Sequence, residues 1–255
     1  MKVQKQIHIL PNYGLYAPVS KYILKEFHPE DMDEDGQFNI YRDYSSKAYT
    51  IPANADMASI HKTSLERLPE LPIKIASYPF CEEEEFEGVP PAKDSLNEKG
   101  KNSIERQIDK EVFRVINAAT PKDHTISIAG SLHSEALGLA KSLVEEHEVP
   151  IGCIVCHPRH YRSMEISLEN FVPSNWKHTK PVRGHHIDIP VITSSMCFQN
   201  TVFVVAEPQY VGALMYFDNY DEEYITNGKG YGWSITRECG FVVANEYTLA
   251  KIDIC

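Results

Sequence analysis

The chain has 255 residues, 42% hydrophobic and 24% charged, enough to build a real core and too apolar for wholesale disorder. Its formal net charge of -11 argues against a dedicated nucleic-acid binder, because an acidic surface repels phosphate; a container that confines DNA without gripping it is still compatible. No apolar run approaches the ~20 residues needed to span a bilayer, and Met1 to Gln6 leads into only a short apolar patch, so the expectation is a cytosolic protein whose six cysteines are reduced and mostly buried.

Residues 1–35 show little periodicity. They contain Pro11, Pro18 and Pro29 and an acidic run from Glu30 to Asp35. Val19 to Phe27 has the length for one or two helical turns, and the remainder reads as an extended arm that needs a surface to lie on. Phe38 to Phe86 is strand-like. Tyr41, Tyr44, Tyr49 and Ile51 favour β structure, and Leu71, Ile73 and Ile75 alternate with polar or small residues. A polar stretch, Ala58 to Glu70, lies between the two. Two strands with a long tip have little core of their own, so this hairpin is expected to project from the body, poorly covered by its own subunit. Glu82 to Glu85 read as a solvated acidic run; a divalent-cation site would need ligands that converge in space.

Asn102 to Ala119 is the clearest helix. Ile104, Ile108, Val112, Val115, Ile116 and Ala119 make one apolar stripe, Asn102 and Glu105 have capping-box spacing, and Thr120-Pro121 ends the run. At ~1.5 Å per residue it is a rod of roughly 27 Å, with Ile108 and Val112 expected to face the C-terminal strands. Thr125 to Ala129 then reads as a short strand, Gly130-Ser131 to about His147 as a second helix, and Pro150 to Cys156 as a buried strand. His185 to Pro190 and Val191 to Thr193 flank a turn, and this alternation implies a compact α/β layer. Thr201 to Ala206 is nearly continuous and apolar; Pro208 closes it. Val211 to Phe217, the turn Asn227 to Gly230 and the long run Tyr231 to Ala244 complete a meander of strands.

Several residues invite a chemical reading. Cys153-Ile154-Val155-Cys156-His157 matches the spacing of covalent haem attachment, but that chemistry needs export, and a spacing of three puts the two thiols on opposite faces of a strand. No second C-x-x-C completes a zinc site. His157, His160, His185 and His186 with Asp188 would make a metal site only if they converged. Ser131, Ser194 and Ser195 lie in no nucleophile elbow. Gly228-Lys229-Gly230 lacks the rest of a phosphate loop, and Trp233 with the fourteen tyrosines reads as packing rather than base stacking. No residue is assigned as catalytic, cofactor-binding or metal-ligating, and no cofactor is expected.

Asn200 to Val204, Ala206-Glu207-Pro208, Val211-Gly212, Gly232-Trp233, Glu238, Gly240 to Val243 and Asn245 together resemble the C-terminal portion of tailed-phage major capsid proteins of the Hong Kong type, a fold shared with encapsulins. Cys156 to Arg159 with Tyr161, and Gly184 with Ile189-Pro190-Val191, resemble its axial domain. The resemblance implies an α+β capsid fold: an N-terminal arm (1–35), an extension loop (36–88), a peripheral domain with a long spine helix (89–124), an axial domain (125–207), and the return strands and C-terminus (208–255). It implies a structural subunit rather than an enzyme. Such subunits assemble as pentamers and hexamers of an icosahedral virion shell around double-stranded DNA, in the host cytoplasm, with portal, scaffolding and possible decoration proteins as partners. An encapsulin nanocompartment is the alternative within the fold, and a cytosolic α/β enzyme with a histidine-rich site is the alternative outside it. Some relatives cross-link an extension-loop lysine to a neighbour's asparagine, and most do without the link; here Lys62 lies near the expected loop tip and Asn227 and Asn245 in the peripheral-domain region, and no motif pairs them. The hairpin follows Met1 closely, so the expectation is a subunit that is not trimmed by a protease, with any scaffold made separately.

Overall fold

The computed structural model describes residues 16–38, 41–43, 65–67, 72–82, 93–168, 170–174 and 181–255. In chain order these form strands β1 (Lys25–Phe27), β2 (Tyr41–Asp43), β3 (Leu65–Arg67), β4 (Pro72–Ser77) and β5 (Phe80–Glu82), then helix α1 (Lys93–Ala119). Next come β6 (Thr125–Ile128), α2 (Ser134–Glu145), β7 (Ile151–Cys156), α3 (Pro158–Ser167), β8 (Phe171–Pro173), β9 (Val182–His186) and β10 (Ile189–Thr193). Last are β11 (Thr201–Ala206), the single turn α4 (Pro208–Val211), β12 (Gly212–Tyr216), β13 (Asp221–Thr226), β14 (Gly230–Val243) and β15 (Leu249–Ile254).

Helix α1 is 27 residues long, nine residues longer at its N-terminus than the apolar stripe indicates. Asn102 lies inside it and caps nothing. The buried face steps by four through Leu96, Gly100, Ile104, Ile108, Val112 and Ile116, and the step at Gly100 carries no apolar side chain. Gly100 is needed there because a Cβ would sit 2.4 Å from Ile235 Cδ1 and 2.9 Å from the Pro79 ring. The helix ends where the Thr120 hydroxyl donates to Ile116 O at 2.7 Å, just before Pro121.

Helix α1 packs against β14 and β4 of a six-stranded sheet. Strand β14 is the spine of that sheet. It pairs antiparallel with β13 and then β12 along one edge, and with β5 and β4 along the other. Strand β1 joins β12 in parallel, so the N-terminal segment finds its surface on its own subunit. A short 3-10 turn, Ser20–Tyr22, precedes it, and Val19, Ser20, Ile23 and Leu24 are buried.

The second sheet has seven strands in the order β6-β15-β11-β7-β10-β9-β8. Strand β11 is buried at every residue because both faces are covered: the Phe203 ring stacks on Phe113 of α1 at 6.1 Å, and α2 packs against β11 and β15. Strand β15 leaves the meander at the 3-10 turn Glu246–Thr248 and enters this sheet between β11 and β6. Helix α2 begins at Ser134, later than Gly130-Ser131, since Gly130 has φ +88 and the His133 side chain accepts from Ala136 N as the cap. Strands β9 and β10 meet through Ile187 and Asp188, both at positive φ (50° and 63°), the backbone of a two-residue primed turn.

The hairpin of residues 38–86 needs correction. The alternating Ile73 and Ile75 do form a strand, β4, but it pairs with β14 and not with the first leg. The partner of β2 is β3, inside the stretch read as the tip. The returning leg is thus part of its own subunit's sheet, with Ile75 only 7% exposed. Local alternation makes a strand without naming its neighbour; the 14-residue β14 offers it a longer edge than the short β2. Tyr44, Tyr49, Ile51, Leu71 and Glu83 to Glu85 lie outside the described residues.

Candidate assembly site: the arm anchor and the exposed tips

The residues that invited a catalytic or metal reading disperse. Cys153 Sγ donates to Tyr22 O at 3.3 Å, and burial pushes both the Cys153 and Cys156 thiols up to about 12, which keeps them un-ionised at neutral pH. His157 caps α3, its Nδ1 accepting from Arg159 N at 3.3 Å. The His160 ring meets Gln199 O, and His186 Nδ1 lies 2.8 Å from Lys141 Nζ, while His185 is exposed on the opposite side of β9. Asp188 belongs to the β9–β10 turn. Among the described residues, no group of three or more His, Cys, Asp or Glu is placed to hold a metal ion.

Ser194 Oγ accepts from Met196 N at 3.2 Å, and Ser131 and Ser195 are exposed. Gly228-Lys229-Gly230 is the β13–β14 turn, in which Asn227 Oδ1 accepts from Lys229 N at 3.0 Å. Trp233 Nε1 donates to Lys93 O at 3.0 Å and fixes the start of α1. Asn245 Oδ1 accepts from Tyr247 N at the turn before β15, and Lys62 lies outside the described residues.

What the fold does bring together is an anchor for the arm. Asp109 on α1 is fully buried and accepts from Val19 N, Ser20 N (2.9 Å) and the Tyr16 hydroxyl. Burial raises its carboxyl to about 6, even though the hydrogen bonds from Tyr16, Val19 and Ser20 pull the other way. Burial, then the charge of Asp109, hold the Tyr16 hydroxyl far above the usual phenol range. One helical turn earlier, Glu105 Oε1 accepts from Arg237 Nη1 of β14 at 2.9 Å and from the Tyr220 hydroxyl. The Arg237 guanidinium lies over the Tyr216 ring at 3.6 Å, and the Tyr216 hydroxyl donates to Glu26 Oε1 of β1 at 3.3 Å. Helix, sheet and arm are therefore joined by one polar seam. Asp109 and Glu105 escape a sequence reading because single carboxylates on an amphipathic helix look like its solvent face; their spacing of four, in line with Phe113, is the available signal.

The surface carries apolar tips. Ile166 on α3, Val172 on the edge strand β8 and Ile187 in the β9–β10 turn are 76%, 63% and 59% exposed, and Tyr78 beside β4 is 66% exposed. Val172 and Ile187 line an open hollow of about 500 Å³ with Asn170, His185 and Asp188.

This architecture of arm, long helix and two sheets matches solved shell structures over nearly its whole length. A capsid of the cyanophage P-SCSP1u superimposes with a TM-score of 0.65 at 11% identity, covering 100% of this chain and 92% of that one. The chain has the Hong Kong phage-type capsid fold. Within that fold, a virus-like particle from Pyrococcus furiosus matches with a TM-score of 0.56 at 13% identity, over 94% of each chain. An encapsulin complex from Synechococcus elongatus matches with a TM-score of 0.55 at 12% identity, over 99% of this chain and 91% of that one. No family model and no curated protein matches the sequence.

Proposed function

We propose that the chain is a structural shell subunit, without catalytic activity, that self-assembles in many copies into a closed icosahedral capsid of a tailed phage, enclosing double-stranded DNA. The observation that carries this reading is the full-length likeness to capsid and shell subunits, covering 100% of this chain in the cyanophage case. The exposed Ile166, Val172, Ile187 and Tyr78 agree with surfaces that neighbours cover, since isolated apolar tips are stabilised by repeated heterologous contact. In this reading α1 and the six-stranded sheet are the peripheral domain, and the seven-stranded sheet with α2 and α3 is the axial domain. The net charge of -11 suits a wall that confines DNA without binding it. The site of action is the virion, assembled in the host cytoplasm with portal and scaffolding proteins.

Negative-stain microscopy of the purified protein tests the shell directly: closed particles support it, and a monomer or small oligomer at micromolar concentration rejects it. An encapsulin compartment is the second reading, favoured by the match to the encapsulin complex. Nuclease-resistant DNA inside native particles supports the phage capsid, whereas a protein cargo without DNA supports the compartment.

A further inference from the structure

Helices α2 and α3 each turn an outward face to solvent, and the two faces are spaced alike. On α2 the face is Leu139, Ser142 and the C-cap Glu146; on α3 it is Arg159, Arg162 and Ile166. Both sets step by three and then four residues, so each covers about 10 Å of helix. All six side chains are exposed, Leu139 at 54% and Ile166 at 76%. Laid antiparallel, the faces set Leu139 against Ile166, Ser142 against Arg162 and Glu146 against Arg159. Ser142 Oγ donates its hydrogen to Gly138 O at 2.9–3.1 Å range of an ordinary bond, 3.1 Å, which leaves its lone pairs to accept from a guanidinium. Among the described residues, Glu146, Arg159 and Arg162 are in no ion pair. Helix stability does not explain their signs either. Glu146 closes α2 at the negative end of its dipole, where no basic residue stands, and Arg159 lies in the first turn of α3, at the positive end, where no acidic residue stands.

The two faces cannot meet within one subunit. Helix α2 packs chiefly on β15, β11 and β6 at one flank of the seven-stranded sheet, and α3 packs on β8, the edge strand of the other flank. The strands between β15 and β8 hold the two helices about 24 Å apart. We propose that the α2 face of one copy docks antiparallel on the α3 face of the next, so that copies join head to tail. The docking deepens the shell reading and rests on it. Leu139 and Ile166 make the dry centre of the contact, and Arg159 and Arg162 reach Glu146 and Ser142 at its rim. Each copy carries one face of each kind, so the contact repeats from copy to copy until a ring closes. Charge selects a second copy as the occupant. A nucleic-acid strand would suit Arg159 and Arg162, but the exposed Glu145 and Glu146 would repel it and Leu139 would stay uncovered. A second copy satisfies both faces at once.

A charge-swap cycle on the full chain tests the docking. Arg159→Glu alone and Glu146→Arg alone are each expected to raise the subunit concentration at half-assembly about fivefold, because attraction becomes repulsion. The double variant Arg159→Glu/Glu146→Arg is expected to return to within about twofold of the parent. Unchanged assembly in both single variants, or no recovery in the double, overturns the proposal. Cross-linking supplies a readout that does not depend on how those variants fold. Cys255 is the one exposed cysteine, so the background is Cys255→Ser. In it, Leu139→Cys/Ile166→Cys oxidised with diamide is expected to give a ladder of disulfide-joined subunits on a non-reducing gel, and either substitution alone gives no ladder. Closed particles without the ladder overturn the docking and keep the shell. A ladder without closed particles keeps the docking and rejects the shell, and a chain that stays monomeric overturns both.

Discussion

Arg237 is 9% exposed, and its ion pair with Glu105 is nearly dry on both sides. Removing one partner leaves the other charge buried without compensation. Glu105→Ala is therefore expected to cost about 3–5 kcal/mol of stability, read as a lower denaturant midpoint with an unchanged slope. Glu105→Gln, which retains an acceptor for Arg237 and Tyr220, is expected to lose less; equal losses would mean that charge, and not hydrogen bonding, holds the seam. Gly212 opens β12 so close to β14 that a Cβ would stand 2.1 Å from Val242 O. Backbone has no rotamer with which to yield. Gly212→Ala is expected to destabilise by about 1–3 kcal/mol through overpacking, whereas Gly228→Ala meets no atom within 4 Å but is strained by its φ of +77°. A Gly212→Ala protein with the parent's melting temperature would contradict the close approach.

At the scale of elements, α1 is the part on which the others are mounted. Ile104, Ile108, Val112, Phe113 and Ile116 are fully buried and share one core with Ile235 of β14 and with Phe203 of β11. Ile108→Asp would place a charge in that core with no partner, at a cost of several kcal/mol. The expected result is insoluble or unassembled protein; soluble particles with normal morphology would show that Ile108 does not face the sheets. The same element shows what is legible locally. The stripe from Ile104 to Ile116 is visible because apolar side chains recur at helical spacing. The first turns, from Lys93, are hidden because the stripe passes through Gly100, whose contribution is the absence of a side chain. Strand β4 was visible by alternation, but its pairing with β14 was not, because its partner lies some 160 residues away in the chain.

At the scale of the molecule, a single core cluster runs from Ile75 and Cys239 in one sheet, across α1, to Val202 and Ile252 in the other. Two sheets that share a core are expected to unfold together. In a Trp176→Phe background, Trp233, which lies in β14 of the six-stranded sheet, becomes the sole tryptophan and reports that sheet. Its fluorescence and the far-UV circular dichroism of dissociated subunits are expected to give coincident midpoints. A separation of the two transitions would show that the sheets are independent units joined only by chain.

Elements whose signal is local are legible in the chain: the long helix around Ile108, the buried runs Ile151 to Cys156 and Thr201 to Ala206, and the turn at Asn227 to Gly230. The order of those elements also carried the resemblance to the capsid fold. Tertiary structure alone decided the rest. It put the N-terminal segment onto its own subunit through Asp109, set β4 against β14, and carried β15 across to the seven-stranded sheet. It also scattered His157, His160, His185 and His186 to a helix cap, a carbonyl, the surface and a lysine. The reason is one of range. Periodicity records which face of an element is buried, whereas pairing and convergence depend on where distant segments meet, and a burial pattern is the same whichever neighbour does the burying.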